Sequence, residues 1–299
     1  MMRPILFLLL VLGSAPLVAQ TLVVSPSLEV PDLPEFNTVF IARNGITSIT
    51  GVRMLKRDGE PMREESERHA YRFDTQGRTI YGNHSYGRPG SGRDTVSVSY
   101  SYDMQGRQTQ KLHNGAGGQF AYIREYDADD RVVRETYRRI ARAVDTEAGV
   151  APGTITEVSD EQFTYTTVND TTWRKHYNNY LGLPYREQTF TRDHRGYLLK
   201  VEDRYLISER RSRITFTYDD RGQLASRTEQ PDLSQPDIIR HTWQYDAVGN
   251  VTSAELWRGD RQVHREEFLY DEGTMVLKAR LRRDLTSGNI QVTKYTTHR

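Results

Sequence analysis

One short pattern recurs along this chain and limits its fold more than any other feature: aromatic, any residue, aromatic, Asp, two residues, Gly. Four copies are complete. They contain Tyr71, Phe73, Asp74 and Gly77; Tyr100, Tyr102, Asp103 and Gly106; Phe216, Tyr218, Asp219 and Gly222; and Trp243, Tyr245, Asp246 and Gly249. Four copies are worn. Tyr126-Asp127 has Asp130 in the Gly place, and Phe163-Thr164-Tyr165 is followed by Thr166 for Asp and Asn169 for Gly. Phe190, Asp193 and Gly196 flank Arg192, which replaces the second aromatic, and Phe268, Tyr270, Asp271 and Gly273 form a copy one residue short. Successive Asp positions, counting Thr166, are 29, 24, 39, 27, 26, 27 and 25 residues apart. The period is about 26, with one insertion of roughly 13 residues, placed at residues 140–158.

The pattern has the chemistry of a β-hairpin. Aromatic-x-aromatic puts both rings on one face of a strand, and these residues favour a pleated, half-buried surface. Asp-x-x-Gly suits a type I turn, in which Asp bonds the backbone ahead of it and Gly takes positive φ, giving a three-residue hairpin with a bulge. Asn169 and Asp130 are among the side chains best able to replace that Gly. The turn also sets register. Tyr218 should face Leu224, Tyr126 Val132, Tyr245 Val251, Phe73 Thr79, Tyr102 Gln108 and Arg192 Leu198. One face then collects aromatic and aliphatic side chains, while Arg213, Thr215, Thr217 and Arg227 mark a solvated opposite face. His113-Asn114-Gly115, Arg258-Gly259-Asp260 and Ser287-Gly288-Asn289 supply return turns, and Asn44-Gly45 and Asp58-Gly59 suggest hairpins before the first clear copy. Two strands per unit gives on the order of 18 strands. The expected fold is all-β: repeated antiparallel hairpins in one long, twisted, curled meander, open or partly closed like a shell or barrel.

The core Tyr-Asp-x-x-Gly-Arg, best kept at residues 73–78 and 102–107, resembles the YD repeat of Rhs-type bacterial proteins and teneurins. The resemblance covers roughly residues 71–275. It implies hairpins coiled into a spiral sheet or shell that encloses cargo or presents adhesion surfaces, with carbohydrate binding proposed in the family. This chain has far fewer repeats than a full shell, so the short exported bacterial members are nearer to it.

The first residues read as a secretory signal. Arg3 is followed by the apolar run Ile5–Leu12, then by breakers and small residues up to Ala19. That run is shorter than the roughly 20 residues that span a bilayer. The expected organisation is a signal peptide at 1–19, an extended lead-in at 20–37 and a single repeat domain at 38–299. The product should be soluble, periplasmic or secreted, and not spanning a membrane. With no cysteine anywhere in the chain, lipid anchoring through Cys, disulfides and thiolate sites are excluded. Lys plus Arg is 41 and Asp plus Glu is 40, a balance that gives no electrostatic case for nucleic acid.

No catalytic motif stands out. The eight histidines lack metal-ligand spacing, and no phosphate-binding or nucleotide-binding Gly loop occurs. Asp127, Asp129 and Asp130 could hold Ca²⁺ but are read as a worn turn. Asn83, Asn169 and Asn250 head glycosylation sequons, and Arg258-Gly259-Asp260 spells an adhesion tripeptide better explained as a turn. The expectation is therefore a non-enzymatic interaction or scaffold protein without cofactors, binding a protein or polysaccharide at the envelope or outside the cell across its sheet edge or face. The alternative is a carbohydrate-binding module using aromatics, with Trp173, Trp243 and Trp257 foremost.

Overall fold

The computed structural model describes residues 20–299 apart from 32, 58, 86–94, 116, 142, 143, 147, 148 and 152. The export signal expected at 1–19 lies outside the described residues. After the lead-in comes a short helix, α1 (Thr38–Arg43), and then strands β1 (Ser48–Lys56), β2 (Arg63–Phe73), β3 (Thr79–Ser85), β4 (Thr95–Tyr102), β5 (Gln108–Gly115), β6 (Gly118–Tyr126) and β7 (Val132–Ile140). The insertion holds the short hairpin β8 (Val144–Thr146) and β9 (Gly149–Ala151). The meander resumes with β10 (Ile155–Asn169), β11 (Thr172–Asn178), β12 (Pro184–Arg192), β13 (Leu198–Tyr205), β14 (Arg211–Tyr218) and β15 (Leu224–Gln230). It ends with β16 (Ile239–Tyr245), β17 (Val251–Arg258), β18 (Arg261–Tyr270), β19 (Leu277–Asp284) and β20 (Ile290–His298).

Eighteen of these strands form one antiparallel sheet in which each pairs with its neighbour in sequence, β7 passing directly to β10. The last strand, β20, pairs with β1 from Ser48↔His298 to Lys56↔Ile290. The sheet is thus a closed barrel. Closure removes the edge that the sequence offered to a partner: every strand of the ring is paired on both sides.

The turns follow the Asp chemistry. Asp74 Oδ1 accepts from the backbone N–H of Gln76 and Arg78, Gly77 N–H bonds Asp74 O, and Gly77 has φ +77°. The same arrangement recurs at Asp103, Asp127, Asp193, Asp219 and Asp246. At the worn copy Asp130 itself adopts φ +60°. The registers Phe73↔Thr79, Tyr102↔Gln108, Tyr126↔Val132, Arg192↔Leu198, Tyr218↔Leu224 and Tyr245↔Val251 are those the turn predicts.

One residue beyond each of these pairs the register shifts by a bulge. A bulge inverts the in–out alternation of everything after it. This corrects the reading of Arg227. Simple alternation from Leu224 puts it outside, but the bulge pairs Phe216 with Arg227 and turns its side chain inward, where it is buried. Arg213, Thr215 and Thr217 do face outward. Asn44-Gly45 is also corrected: it forms no hairpin but ends α1, with Asn44 N–H bonding Phe40 O and Gly45 at φ +61°.

Between consecutive hairpins the backbone ladder stops short of the Asp turns. Pairing of β13 with β14 ends at Lys200↔Thr215, and that of β15 with β16 at Ser226↔Thr242. The carbonyls left over are capped by the second aromatic of the next repeat. Tyr102, Tyr126, Tyr165, Tyr218, Tyr245 and Tyr270 donate to the carbonyls of Thr79, Gln108, Val132, Leu198, Leu224 and Val251 at 2.7–2.9 Å. Burial raises the pKa of all six hydroxyls, so they remain donors. Arg78, Arg107 and Arg131, held by the turn aspartates, lie over the rings of Tyr102, Tyr126 and Tyr165 at 4.5, 4.9 and 5.0 Å.

Tyr245→Phe leaves Leu224 O uncapped, and urea unfolding should show a loss of about 1 kcal/mol. Gly77→Ala should cost at least ~1–2 kcal/mol more than Gly196→Ala. Both glycines have positive φ, but a Cβ at 77 would lie 2.0 Å from Thr38 O of α1, whereas at 196 it meets nothing within 4 Å. Equal unfolding midpoints for the two variants would mean that α1 does not dock on this turn.

Candidate functional site

The face that carries the aromatics is the inside of the barrel, and the lead-in lies within it. Leu33 rests on Gly82 of β3, where a Cβ would be 2.3 Å from Leu33 Cδ1. Val24 and Leu28 pack against Val201, Phe216 and Leu224 of β13–β15. Thr21 Oγ1 donates to Met275 O (2.7 Å) and accepts from Leu277 N–H (3.2 Å) at the start of β19. Arg227 donates from Nε to Ser27 O (3.1 Å) and from Nη2 to Leu28 O (2.6 Å), while Nη1 meets Glu229 (2.9 Å). A segment reaching both β3 and β13–β15 runs across the lumen as a strap.

Two cavities flank the strap. One, of about 460 Å³, lies between the strap and the wall of β15–β20; its apolar surface comes from Leu22, Val24, Trp243, Leu256, Phe268 and Leu277. The other, of about 600 Å³, faces β3–β6 and is more polar, with Glu29, Arg78, Tyr100, Tyr102 and Arg124. Both fall in the ~300–1,000 Å³ range of small-molecule sites.

Part of the lumen wall has an axial gradient. On β2, β10, β16 and β18 the two aromatics sit next to the Asp turn and the next inward position is polar, whereas β4 continues inward with Val98 and β6 with Tyr122 and Phe120. Along β18 the inward sequence is Tyr270, Phe268, Glu266, His264; along β2 it is Phe73, Tyr71, His69, Glu67; along β10 it is Tyr165, Phe163, Glu161. The acids are held by cations. Glu266 accepts from Arg280 at 2.5 Å with Arg282 at 3.9 Å, and Glu67 pairs with Arg53. Arg280 Nε is buried without a hydrogen-bond partner. Glu266 is therefore engaged by the guanidinium groups of Arg280 and Arg282. His241, beside Trp243 with ring centroids 6.0 Å apart, is pushed down to about 4 by burial and then by Arg227 and His264. Burial and Arg282 lower His264 likewise. Both rings are neutral at physiological pH.

The residues singled out by sequence divide in two. The turn set (Asp74, Gly77, Asp103, Gly106, Asp127, Asp193, Gly196, Asp219, Gly222, Asp246, Gly249 and Asp271) stands at one rim and builds hairpins. The aromatic set lines the lumen, with Tyr71, Phe73, Phe163 and Phe216 buried. Of the three tryptophans, Trp243 lines the first cavity, Trp173 stacks on Phe190 at 4.9 Å, and Trp257 pairs with Arg240 on the outer face. Asp127 is engaged by the backbone N–H and guanidinium of Arg131, which hold it below the usual carboxylate range, and no metal-binding group of three or more side chains occurs among the described residues. Arg258-Gly259-Asp260 lies at the β17–β18 turn. Asn250 is buried, bonding Asp246. The strap, Arg227, His241, Glu266 and Arg280 were not foreseen. The bulge hidden in each repeat was the one available signal, because it decides which polar residues turn inward.

The outer face is charged and hydroxylated in mid-strand: Lys200 and Arg213 both pair with Glu202, and Arg134 pairs with Asp160. Outward Arg or Lys costs about 2–4 kcal/mol at a bilayer midplane, so this face suits water rather than lipid. No helix among the described residues is long and apolar enough to cross a membrane.

No family model and no curated protein matches the chain. Among solved structures it is similar to a porin-like protein from Bacteroides uniformis (14% identity, 85% of this chain and 98% of that one, TM-score 0.36). A porin-like protein from Bacteroides vulgatus is 9% identical over 85% and 98% of the two chains, with TM-score 0.34. A LolA superfamily protein from Nitrosomonas europaea is 10% identical over 87% and 88%, with TM-score 0.20. These superpositions are loose.

Because His241 is harder to protonate folded than unfolded, the unfolded state takes up the proton first as pH falls. Its contribution to stability is complete above about pH 7 and is lost as pH drops toward about 4. In urea unfolding at stepped pH, His241→Gln should flatten the decline between pH 7 and 5 by up to about one proton. An unchanged slope would mean that His241 is not held neutral.

Proposed function

We propose that this chain is an exported, non-catalytic barrel of YD-type repeats that holds a small amphiphilic molecule in its lumen. The observation that carries this reading is the axial gradient on β16, β18 and β19, apolar at the Asp-turn end and polar beyond it, bordering a cavity of about 460 Å³ inside a closed ring. An elongated ligand with one apolar and one polar end would lie along that gradient with each part matched. The cavity is lined largely by pre-placed side chains, so little ordering cost opposes binding. Inward placement of the aromatics favours a lumenal ligand over a polysaccharide laid on the outside. Closure moves any protein partner from the sheet edge to the outer face.

Nile red added to the full chain should bind saturably and quench the fluorescence of Trp243, which lines the cavity. Ala254→Phe, which projects a ring into the same space, should weaken binding about tenfold or more, equal to ~1.4 kcal/mol. Non-saturable uptake, or full affinity in Ala254→Phe, overturns the reading. Displacement of the dye by an oligosaccharide would move the assignment to the carbohydrate alternative.

A further inference from the structure

A different stretch of the lumen wall holds an amine outside any direct ion pair among the described residues. Lys175 on β11 pairs across the sheet with Tyr165 and Gln188, both inward, so its side chain points into the barrel. It is half-buried. Its Nζ lies 3.6 Å from the centroid of the Phe163 ring and 4.5 Å from that of Tyr177. Among the described residues it makes no hydrogen bond and no ion pair.

The surrounding carboxylates are committed elsewhere. Glu135 of β7 accepts from Arg124 Nε of β6 at 2.6 Å. Glu161 of β10 accepts from Tyr185 hydroxyl of β12 at 2.6 Å. Asp203 of β13 is taken by the Arg186 guanidinium and by Gln188 Nε2 (2.8 Å). Arg186 also lies over the other ring neighbour, Tyr177, at 4.6 Å, so two cations share one aromatic ring. Burial first, with Arg124 and Arg186 adding to it against Glu135 and Glu161, pushes Lys175 down to about 8. Desolvation beside other cations is the setting that turns a lysine into a nucleophile.

We propose that Lys175 is a reactive amine that captures a carbonyl compound, an aldehyde or ketone small enough to enter the lumen, as a reversible imine. The ammonium releases a proton to lumen water, and the nitrogen lone pair attacks the carbonyl carbon. The C=O π electrons move to oxygen, which takes up the proton shed by the attacking nitrogen to give the carbinolamine. The C–O bond then breaks with loss of water as the C=N bond forms. The sum is amine plus carbonyl giving imine plus water, with no oxidation or reduction. Phe163 and Tyr177 flank the nitrogen and would shield the product from hydrolysis.

The test is reductive trapping on the full chain with acetaldehyde and cyanoborohydride, read by peptide mass spectrometry across a pH series. The chain has six lysines, an internal comparison set. Lys278 and Lys200 are ion-paired with Asp271 and Glu202. At pH 7 Lys175 should be alkylated about tenfold or more faster than either, with its rate half-maximal near pH 8. Arg186→Gln, which removes a cation that shares the Tyr177 ring and holds the amine down, should move that midpoint upward; circular dichroism verifies that the variant is folded. Alkylation of wild-type Lys175 no faster than Lys278, or no alkylation at all, overturns the proposal. Because Nile red binding reads the β15–β20 wall, the two readings fail independently.

Discussion

The barrel depends on a hydrogen bond that the backbone cannot make for itself. Each Asp turn ties two strands firmly, but neighbouring hairpins part company near that rim, where their common ladder has already ended. A carbonyl left unpaired there is costly once buried among aromatic rings, at about 1–3 kcal/mol. The second aromatic of the next repeat reaches back and caps it. The hydroxyl explains why that position is Tyr in six of the eight copies. The two exceptions follow from the same geometry. Phe73 and Arg192 have neighbours that are not Asp hairpins of the repeat, and their own backbone N–H groups pair with Thr47 O and Thr171 O instead. What looks worn in the sequence is a change in what stands next door.

The same repeat carries the bulge that makes the interior polar. Without it, each strand leaving an Asp turn would alternate simply, and Arg227 and Glu229 behind Leu224 would face water. The bulge exchanges the two faces one residue later. It turns Arg227 and, on β19, Arg280 and Arg282 inward, toward the acids of the strands that enter the next turn. A motif that seems to specify only a turn thereby also decides which later residues turn inward, as it does for Arg227, Arg280 and Arg282.

How much of this could be read from the chain depends on range. Turn type and register follow from residues within six positions of each Asp, and strand number from the spacing of the copies and their return turns; those statements agree with the structure. Ring closure is nonlocal: β1 meets β20 across 246 positions at Thr50 and Thr296, and nothing in either strand names the other. Asn44-Gly45 illustrates the opposite limit. The same dipeptide serves a hairpin or a helix end, and only the capping by Asn37 and the burial of Phe40 and Ile41 decide for α1. Arg227 failed for a third reason, since period-2 reasoning holds only between bulges. Lys175 was invisible because its character lies in what its neighbours' carboxylates already do.

A ring of eighteen strands encloses more space than its own side chains fill, and natural barrels of that size carry water or a plug. Here the chain supplies an occupant from just before α1. The strap has three acids and no base between residues 20 and 42. Burial first, and then Tyr137, Glu135 and the strap's Glu29, raise the pKa of Tyr122, so Glu29 lies within reach of that wall. The strap's backbone carbonyls satisfy Arg227. The strap is therefore extended, apolar in part and negatively charged in part, and it occupies the lumen by the two interactions that the axial gradient offers. Any molecule that shares the lumen must meet the same terms, and the cavities left on either side of the strap are where it can do so without dislodging what holds the interior together.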